Sequence, residues 1–76
     1  MPTLHRLGNM TIRINTPDHM PPHVHVVLSD RRDAQVDIET LKVTSRTVNK
    51  REIVQALVWI AQHRAHATAF FKECNP

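Results

Sequence analysis

The stretch HVHVVL, residues 23–28, decides the fold of this 76-residue chain. Apolar side chains occupy every second position, which is the period of a strand that buries one face. The buried face would consist of Val24, Val26 and Leu28. Side chains at positions i and i+2 point to the same side of a strand. His23 and His25 are therefore predicted to stand together on the face turned away from the core.

Three further segments carry strand signals: PTLHRL at 2–7, MTIRIN at 10–15 and AQVDI at 34–38. The first two are joined by Gly8-Asn9, a dipeptide typical of tight hairpins. The segment TPDHMPP, residues 16–22, contains prolines that cannot donate to a sheet ladder, so it predicts a loop. Residues 41–43 either extend the last strand or begin another loop. Residues 1–43 are thus predicted to hold the strands, with the proline–histidine loop among them.

The second half of the chain predicts one long helix over residues 49–73. Asn49 and Glu52 have the spacing of a capping box, and no glycine or proline lies between positions 50 and 72. An apolar stripe at helical spacing consists of Ile53, Leu57, Ile60, Ala67 and Phe71, and is widened by Val54, Ala56, Ala61 and Phe70. A helix this long would overhang a small sheet. Either it breaks near residues 63–66 or its end packs on a second subunit.

These elements predict an α+β fold in one domain, residues 1–76. A small, mainly antiparallel sheet of three or four strands would pack on the long C-terminal helix. A chain of this length buries a thin core, and Cys74, as the only cysteine, cannot reinforce it with an internal disulfide. A homodimer or a bound partner is the expected supplement. The single thiol, with no long apolar segment and no signal-like start, predicts a cytoplasmic protein without membrane contact.

Basic residues are concentrated in the second half of the chain. From Leu41 onward six Lys and Arg accompany two Glu, whereas the residues up to Thr40 hold four basic and five acidic side chains. The net charge of +3 is modest. We interpret the basic half as a solvated helix face, with an acidic partner protein or a phosphate backbone as the alternatives.

The pattern His-x-His on a strand is compatible with three kinds of site, of which the first is a metal site. Two imidazoles on one side of a strand can converge on one ion such as Zn²⁺. His23 and His25 would be two ligands, and His19 or Asp18 could bend back from the loop as the third. The spacing of a third ligand is not diagnostic, so the sequence predicts no cofactor beyond this candidate metal.

The second kind of site is an acid–base site, since imidazole titrates near physiological pH. His23 or His25 would exchange a proton with a ribose hydroxyl or a leaving group. The phosphate could be held by Arg13, or by Arg31 and Arg32 from the neighbouring turn. Asp37 would orient one imidazole. This set would suffice for metal-independent RNA cleavage.

The third interpretation is purely structural: the imidazoles hydrogen-bond backbone groups that the proline loop leaves unpaired. The sequence leaves the three interpretations open, and with them the question whether the protein is an enzyme. His63 borders the helical apolar stripe, so a site that combines it with His23 and His25 is geometrically awkward. Trp59 is expected in the core or an interface, and Cys74 as an idle thiol.

The quoted motifs resemble one family of short bacterial proteins along nearly the whole chain. The chain resembles the family catalogued as domain of unknown function four thousand one hundred and sixty, whose members carry the patterns E-H-N-P-P-H-F-H and W-A-x-x-H-R-E-E-L. The corresponding segments here are DHMPPHVHV, VDIETLKV and ALVWIAQHRAH, in the family's order and approximate spacing. The motif residues carried over are His19, Pro21, Pro22, His23, His25, Trp59, His63 and Arg64. Of these, His19, Pro21, Pro22, His63 and Arg64 are expected to be binding residues, together with Arg31 and Arg32. The family's two acids after the His-Arg pair are Ala65 and His66 here, which puts a partner contact at that place in doubt.

What the resemblance implies is a context and not a reaction. Members are often encoded beside a second small protein and are then predicted to be toxin–antitoxin components, with this domain as the toxin. The resemblance therefore implies a small cognate protein as partner, and RNA as a target. Our interpretation is a cytoplasmic toxin-type component that acts on RNA through His19, His23 and His25. The alternative is a non-catalytic binding or regulatory module that holds a metal ion.

Overall fold

A five-stranded antiparallel sheet forms one layer of the protein, which was analysed as a computed structural model that describes residues 2–16, 18 and 20–76. The strands are β1 (Thr3–Leu7), β2 (Met10–Arg13), β3 (His23–Leu28), β4 (Asp33–Asp37) and β5 (Val43–Thr44). Their order in the sheet follows the order in the chain, and every neighbouring pair is antiparallel. The α+β class is confirmed. Three or four strands were predicted, and the sheet has a fifth because the two-residue β5 pairs with β4.

One face of the sheet is buried, as the alternation in β3 predicts. Val24 and Val26 are fully buried and Leu28 nearly so. They belong to one core cluster that also contains residues from the rest of the sheet and from the helical layer, including Ile12, Ile14, Val36, Ile38, Ile53, Ile60, Ala67 and Phe71. The period-two pattern thus fixes the register of the sheet, since a shift of one residue would turn the valines outward.

The helical layer is not the single helix predicted over residues 49–73. It consists of a 3₁₀ turn (Lys50–Ile53), α1 (Val54–Gln62) and α2 (Arg64–Cys74). The capping box is present, since Glu52 Oε2 accepts the backbone N–H of Asn49 at 2.8 Å. The 3₁₀ turn has a tighter period than an α-helix, and Val54, expected to widen the apolar stripe, is half exposed.

The break between the helices lies at His63, which has non-helical backbone angles (φ −128°, ψ 31°). A break near residues 63–66 was one of the two alternatives that the sequence left open, and it is confirmed. The change of direction lets α2 bury Ala67 and Phe71 against the sheet. Arg64 supports the junction, since its Nε donates to the carbonyl of Ile38 at 3.1 Å. Among the described residues no helix has both the length and the apolar character needed to cross a membrane.

Candidate metal centre

The two imidazoles of β3 lie side by side, with ring centroids 5.3 Å apart. The side chain of His25 is 16% exposed on the face of the sheet opposite the core. His23 is only 5% exposed, so the expectation that both rings stand on an open face is wrong for His23. The reason is Phe71 of α2, whose ring centroid lies 5.5 Å from that of His23. The end of α2 therefore covers the first residue of β3.

Asp18 of the proline–histidine loop completes a cluster with the two histidines. Its Oδ2 lies 2.7 Å from His23 Nε2 and 3.6 Å from His25 Nε2. One ligand atom from each of the three residues lies within 4.8 Å of the other two. We refer to Asp18, His23 and His25 as the triad. The sequence named Asp18 and His19 as alternative third ligands, and His19 lies outside the described residues.

The hydrogen bonds of His23 fix the use of both its ring nitrogens. Nδ1 lies 2.7 Å from the carbonyl oxygen of Pro21, to which only an N–H can donate. In a neutral ring the proton is then on Nδ1, and the lone pair of Nε2 faces the Asp18 carboxylate. Two groups that only accept hydrogen bonds thus face both edges of one imidazole. A positive charge between Nε2 and Oδ2, either a second ring proton or a metal ion, resolves this arrangement.

His25 also has a ring nitrogen whose hydrogen-bonding capacity is not satisfied. Its Nε2 is buried and has no hydrogen-bond partner among the described residues. Asp18 Oδ2 at 3.6 Å is too far for a hydrogen bond, and the other nitrogen, Nδ1, lies 3.9 Å from Asp33 Oδ2. A buried imidazole nitrogen 3.6 Å from a carboxylate oxygen, with no hydrogen bond between the two atoms, could act as a metal ligand.

The loop that carries Asp18 is fastened to the end of α2. Asn75 Oδ1 accepts the backbone N–H of Asp18 at 2.6 Å. The Nδ2 of Asn75 donates to the carbonyls of Asn15 and Phe71 at 3.1 and 3.2 Å. Asn75 is therefore a positioning residue for the triad. Its separation of 57 positions from Asp18 left no signal in the sequence.

A depression on the open face of the sheet adjoins the triad and shares His25 with it. Its volume is about 410 Å³, and its lining residues are Arg13, Asn15, His25, Val27, Arg31 and Asp33. We refer to it as the arginine groove. It brings together three of the side chains singled out in the acid–base hypothesis, namely Arg13, His25 and Arg31.

Two of the other side chains of that hypothesis, Asp37 and Arg32, have structural contacts instead. Asp37 Oδ1 accepts the backbone N–H groups of Glu39 and Thr40 at 2.8 and 2.9 Å, so it caps a turn. Among the described contacts, the carboxylate that meets an imidazole at hydrogen-bonding distance is that of Asp18. Arg32 donates to Asp30, Glu52 and the carbonyl of Thr47.

His63 and Arg64 lie at the helix break, and none of their described contacts is to the triad. His63 stacks on Trp59 with ring centroids 4.2 Å apart, and Trp59 stacks on His5 at 4.5 Å. The Nδ1 of His63 also bonds the carbonyl of Trp59 at 2.8 Å. This placement agrees with the expectation that His63 does not readily join His23 and His25 in one site. Trp59 is half-buried at the edge of the core.

One comparison with known proteins identifies a family. The model of the family Domain of unknown function (DUF4160) matches residues 9–71, which include all of β2, β3, β4, β5 and α1. No curated protein and no solved structure matches the chain significantly.

Proposed function

This chain belongs to the family Domain of unknown function (DUF4160), and we propose that it is a metal-binding domain whose ligands are Asp18, His23 and His25. The observation that carries the proposal is the position of His23 Nε2, 2.7 Å from a carboxylate oxygen while Nδ1 is engaged by the Pro21 carbonyl. In metal sites, a carbonyl that accepts a hydrogen bond from one ring nitrogen of a histidine commonly orients the other nitrogen toward the metal.

The separations of the ligand atoms suit a small divalent ion after a slight adjustment. Zinc binds imidazole and carboxylate ligands at about 2.0–2.2 Å, so the ligand atoms of a tetrahedral site lie roughly 3.3 Å apart. The contact of 2.7 Å from Asp18 to His23 would lengthen and that of 3.6 Å to His25 would shorten. Two imidazoles and a carboxylate favour Zn²⁺ among common ions. Three protein ligands leave a fourth position open, as in catalytic sites.

Equilibrium dialysis against ZnCl₂, followed by elemental analysis, tests this proposal. We expect about one zinc per chain, and loss of that zinc in Asp18→Ala and in His25→Ala. The matched control is His66→Ala, which removes an exposed imidazole from α2. Circular dichroism would verify that each variant is folded. Stoichiometric zinc in both triad variants, or none in the folded wild type, would refute the proposal.

A second candidate function is a toxin-type component that acts on RNA by metal-independent acid–base chemistry. It is supported by the arginine groove, which holds His25 beside two guanidinium groups. His25 would exchange the proton and an arginine would hold the phosphate. The test is RNA cleavage by purified protein in excess chelator. We expect cleavage that His25→Ala abolishes and His66→Ala preserves; intact RNA between pH 5 and 8 would exclude this function.

The cellular context remains part of this second proposal. A toxin-type component would act in the cytoplasm and would be held by a small protein encoded nearby, while a homodimer is the alternative way to extend a thin core. Co-expression with the neighbouring gene and affinity purification would distinguish the two. A stoichiometric complex supports the pair, and a chain that elutes alone as a monomer contradicts both.

A further inference from the structure

The arginine groove contains two cationic side chains that no described residue neutralises. Within residues 2–16, 18 and 20–76, the guanidinium groups of Arg13 and Arg31 make no hydrogen bond and no ion pair. Arg32 and Arg64 differ, since both donate to oxygens of the chain. Free guanidinium groups that line one concave surface are ligands for an external anion.

The two guanidinium-bearing residues of the groove belong to different segments of the fold. Arg13 is half-buried in β2 and lies directly across from His25 in the β2–β3 pairing. Arg31 follows β3 in a turn, where it adopts a left-handed backbone conformation (φ 73°). The turn is fastened by the bond from the N–H of Arg31 to the carbonyl of Leu28 at 2.9 Å. The two side chains therefore approach the groove from separate, ordered segments.

The charge of the groove suits a dianion better than a carboxylate. Its two guanidinium groups face one acid, Asp33, which is 60% exposed and lies beside His25 Nδ1. The balance along the groove is thus positive. A phosphoryl group offers three oxygens and up to two negative charges, and each arginine can bind it through two parallel hydrogen bonds. The volume of about 410 Å³ admits such a group with an organic substituent.

We propose that the arginine groove is the binding site for the phosphoryl group of a phosphate ester, held by Arg13 and Arg31 with His25 at its edge. This inference deepens the proposed function by naming the group that the site recognises. It rests on that function for the chemistry at His25, but the anion itself binds without a metal. Two sources of the same chemistry are considered, the terminal phosphate of a nucleotide and the backbone of RNA.

Titrations followed by ¹H–¹⁵N NMR in excess chelator test the inference, with 5′-AMP and a short single-stranded oligoribonucleotide as probes. We expect saturable shifts at β2 and at residues 28–33, and at least a tenfold loss of affinity in Arg13→Gln and in Arg31→Gln. Arg51→Gln, an equal charge change at an exposed site, should lose less than twofold.

The two probes separate the two sources. With an oligoribonucleotide that ends in hydroxyl groups, binding of 5′-AMP alone supports a terminal phosphate site, and binding of the oligoribonucleotide, with or without binding of 5′-AMP, supports a backbone site. No saturable binding by either, or equal losses in all three arginine variants, would overturn the inference. Because chelator is present throughout, such a failure leaves the zinc measurement unaffected, and a failure to bind zinc leaves this one unaffected.

Discussion

Two clusters of charged and titratable side chains are compared among the described residues, and they differ in how completely their side-chain nitrogens are hydrogen-bonded. In the first, Arg32 contacts Asp30 at 2.8 Å and Glu52 at 2.8 Å. These contacts lower the pKa values of Asp30 and Glu52 and raise that of Arg32, chiefly through hydrogen bonds between their side chains. Each charged group in this Arg32 network therefore has an opposite partner.

The triad is the second cluster. Asp18 Oδ2 lies 2.7 Å from His23 Nε2 and 3.6 Å from His25 Nε2, and the buried Nε2 of His25 has no hydrogen-bond partner among the described residues. The Arg32 network joins the turn after β3 to the start of the helical layer, which is a structural role. We infer that the Arg32 network holds the fold together, whereas the buried Nε2 of His25, which makes no hydrogen bond to the described residues, is available to a ligand.

The largest effect should come from removing the aromatic ring that covers the triad. Phe71 is buried and contacts His23, so Phe71→Ala should lower the free energy of unfolding by about 3–5 kcal/mol. Phe70→Ala, at a partly buried position of the same helix, is the control and should cost clearly less. Urea denaturation measures both. Equal costs would contradict the greater contribution of Phe71 to the core.

Zinc should stabilise the protein through the triad and not through the Arg32 network. At a free zinc concentration 100 times the Kd, binding to the native state adds about 2.7 kcal/mol to the free energy of unfolding. In a domain of this size that corresponds to a rise in Tm of roughly 10–20 °C. Differential scanning calorimetry should show this rise in the wild type and in Arg32→Gln, and no rise in His25→Ala. A rise that survives His25→Ala would place the metal elsewhere.

Loss of the Asn75 hydrogen bonds at the end of α2 should weaken zinc binding by the triad and leave the protein folded. Asn75→Ala removes the acceptor for the backbone N–H of Asp18. Loss of a group that holds a metal ligand in place typically weakens metal binding by about 10-fold or more. Isothermal titration calorimetry with ZnCl₂ measures the change. Gln55→Ala, at an exposed position of α1, should leave the affinity unchanged. An unaltered affinity in Asn75→Ala would show that Asp18 needs no support from α2.

The smallest effect concerns the pH dependence of the Arg32 network. Its hydrogen bonds hold the pKa of Glu52 below its ordinary value of 4.5. A carboxylate with a depressed pKa stabilises the native state above the unfolded pKa, and this contribution is lost as the pH falls through the folded pKa.

Thermal melts of the wild type and Glu52→Gln should therefore differ slightly at pH 7 and converge in acid below pH 4.5. Because the pair is exposed, the difference in Tm should remain small. A difference that grows as the pH falls would contradict this assignment.

The sequence predicted the parts of the structure that depend on local periodicity. Alternation in β3 predicted its buried face and the shared side of His23 and His25, and the spacing of Asn49 and Glu52 predicted the helical start. It did not predict β5, because two paired residues have no periodic signature. Nor could it choose between a break and an overhang at His63, since that choice depends on the room that the sheet leaves for α2.

The candidate site was only partly visible in the sequence, because its decisive contacts join distant segments. Asp18 and His19 were equivalent in the sequence as candidate loop ligands, and the structure places Asp18 beside both imidazoles. The burial of His23 results from Phe71, which lies 48 positions later in the chain. Arg32 and Asp37 carry suitable side chains for chemistry, but tertiary contacts engage both of them in structural roles.

The central claim, that the triad binds a metal ion through Nε2 of His23 and of His25, is tested most directly at the ring nitrogens. Long-range ¹H–¹⁵N NMR of uniformly labelled protein, recorded at pH 7 during a zinc titration, reports the state of each imidazole. We predict that Nε2 of His23 and His25 shift together at one equivalent of zinc, while the Nδ1 proton of His23 is retained against the Pro21 carbonyl. Unchanged spectra for both rings in the presence of excess zinc, or shifts confined to His63 and His66, would contradict the claim.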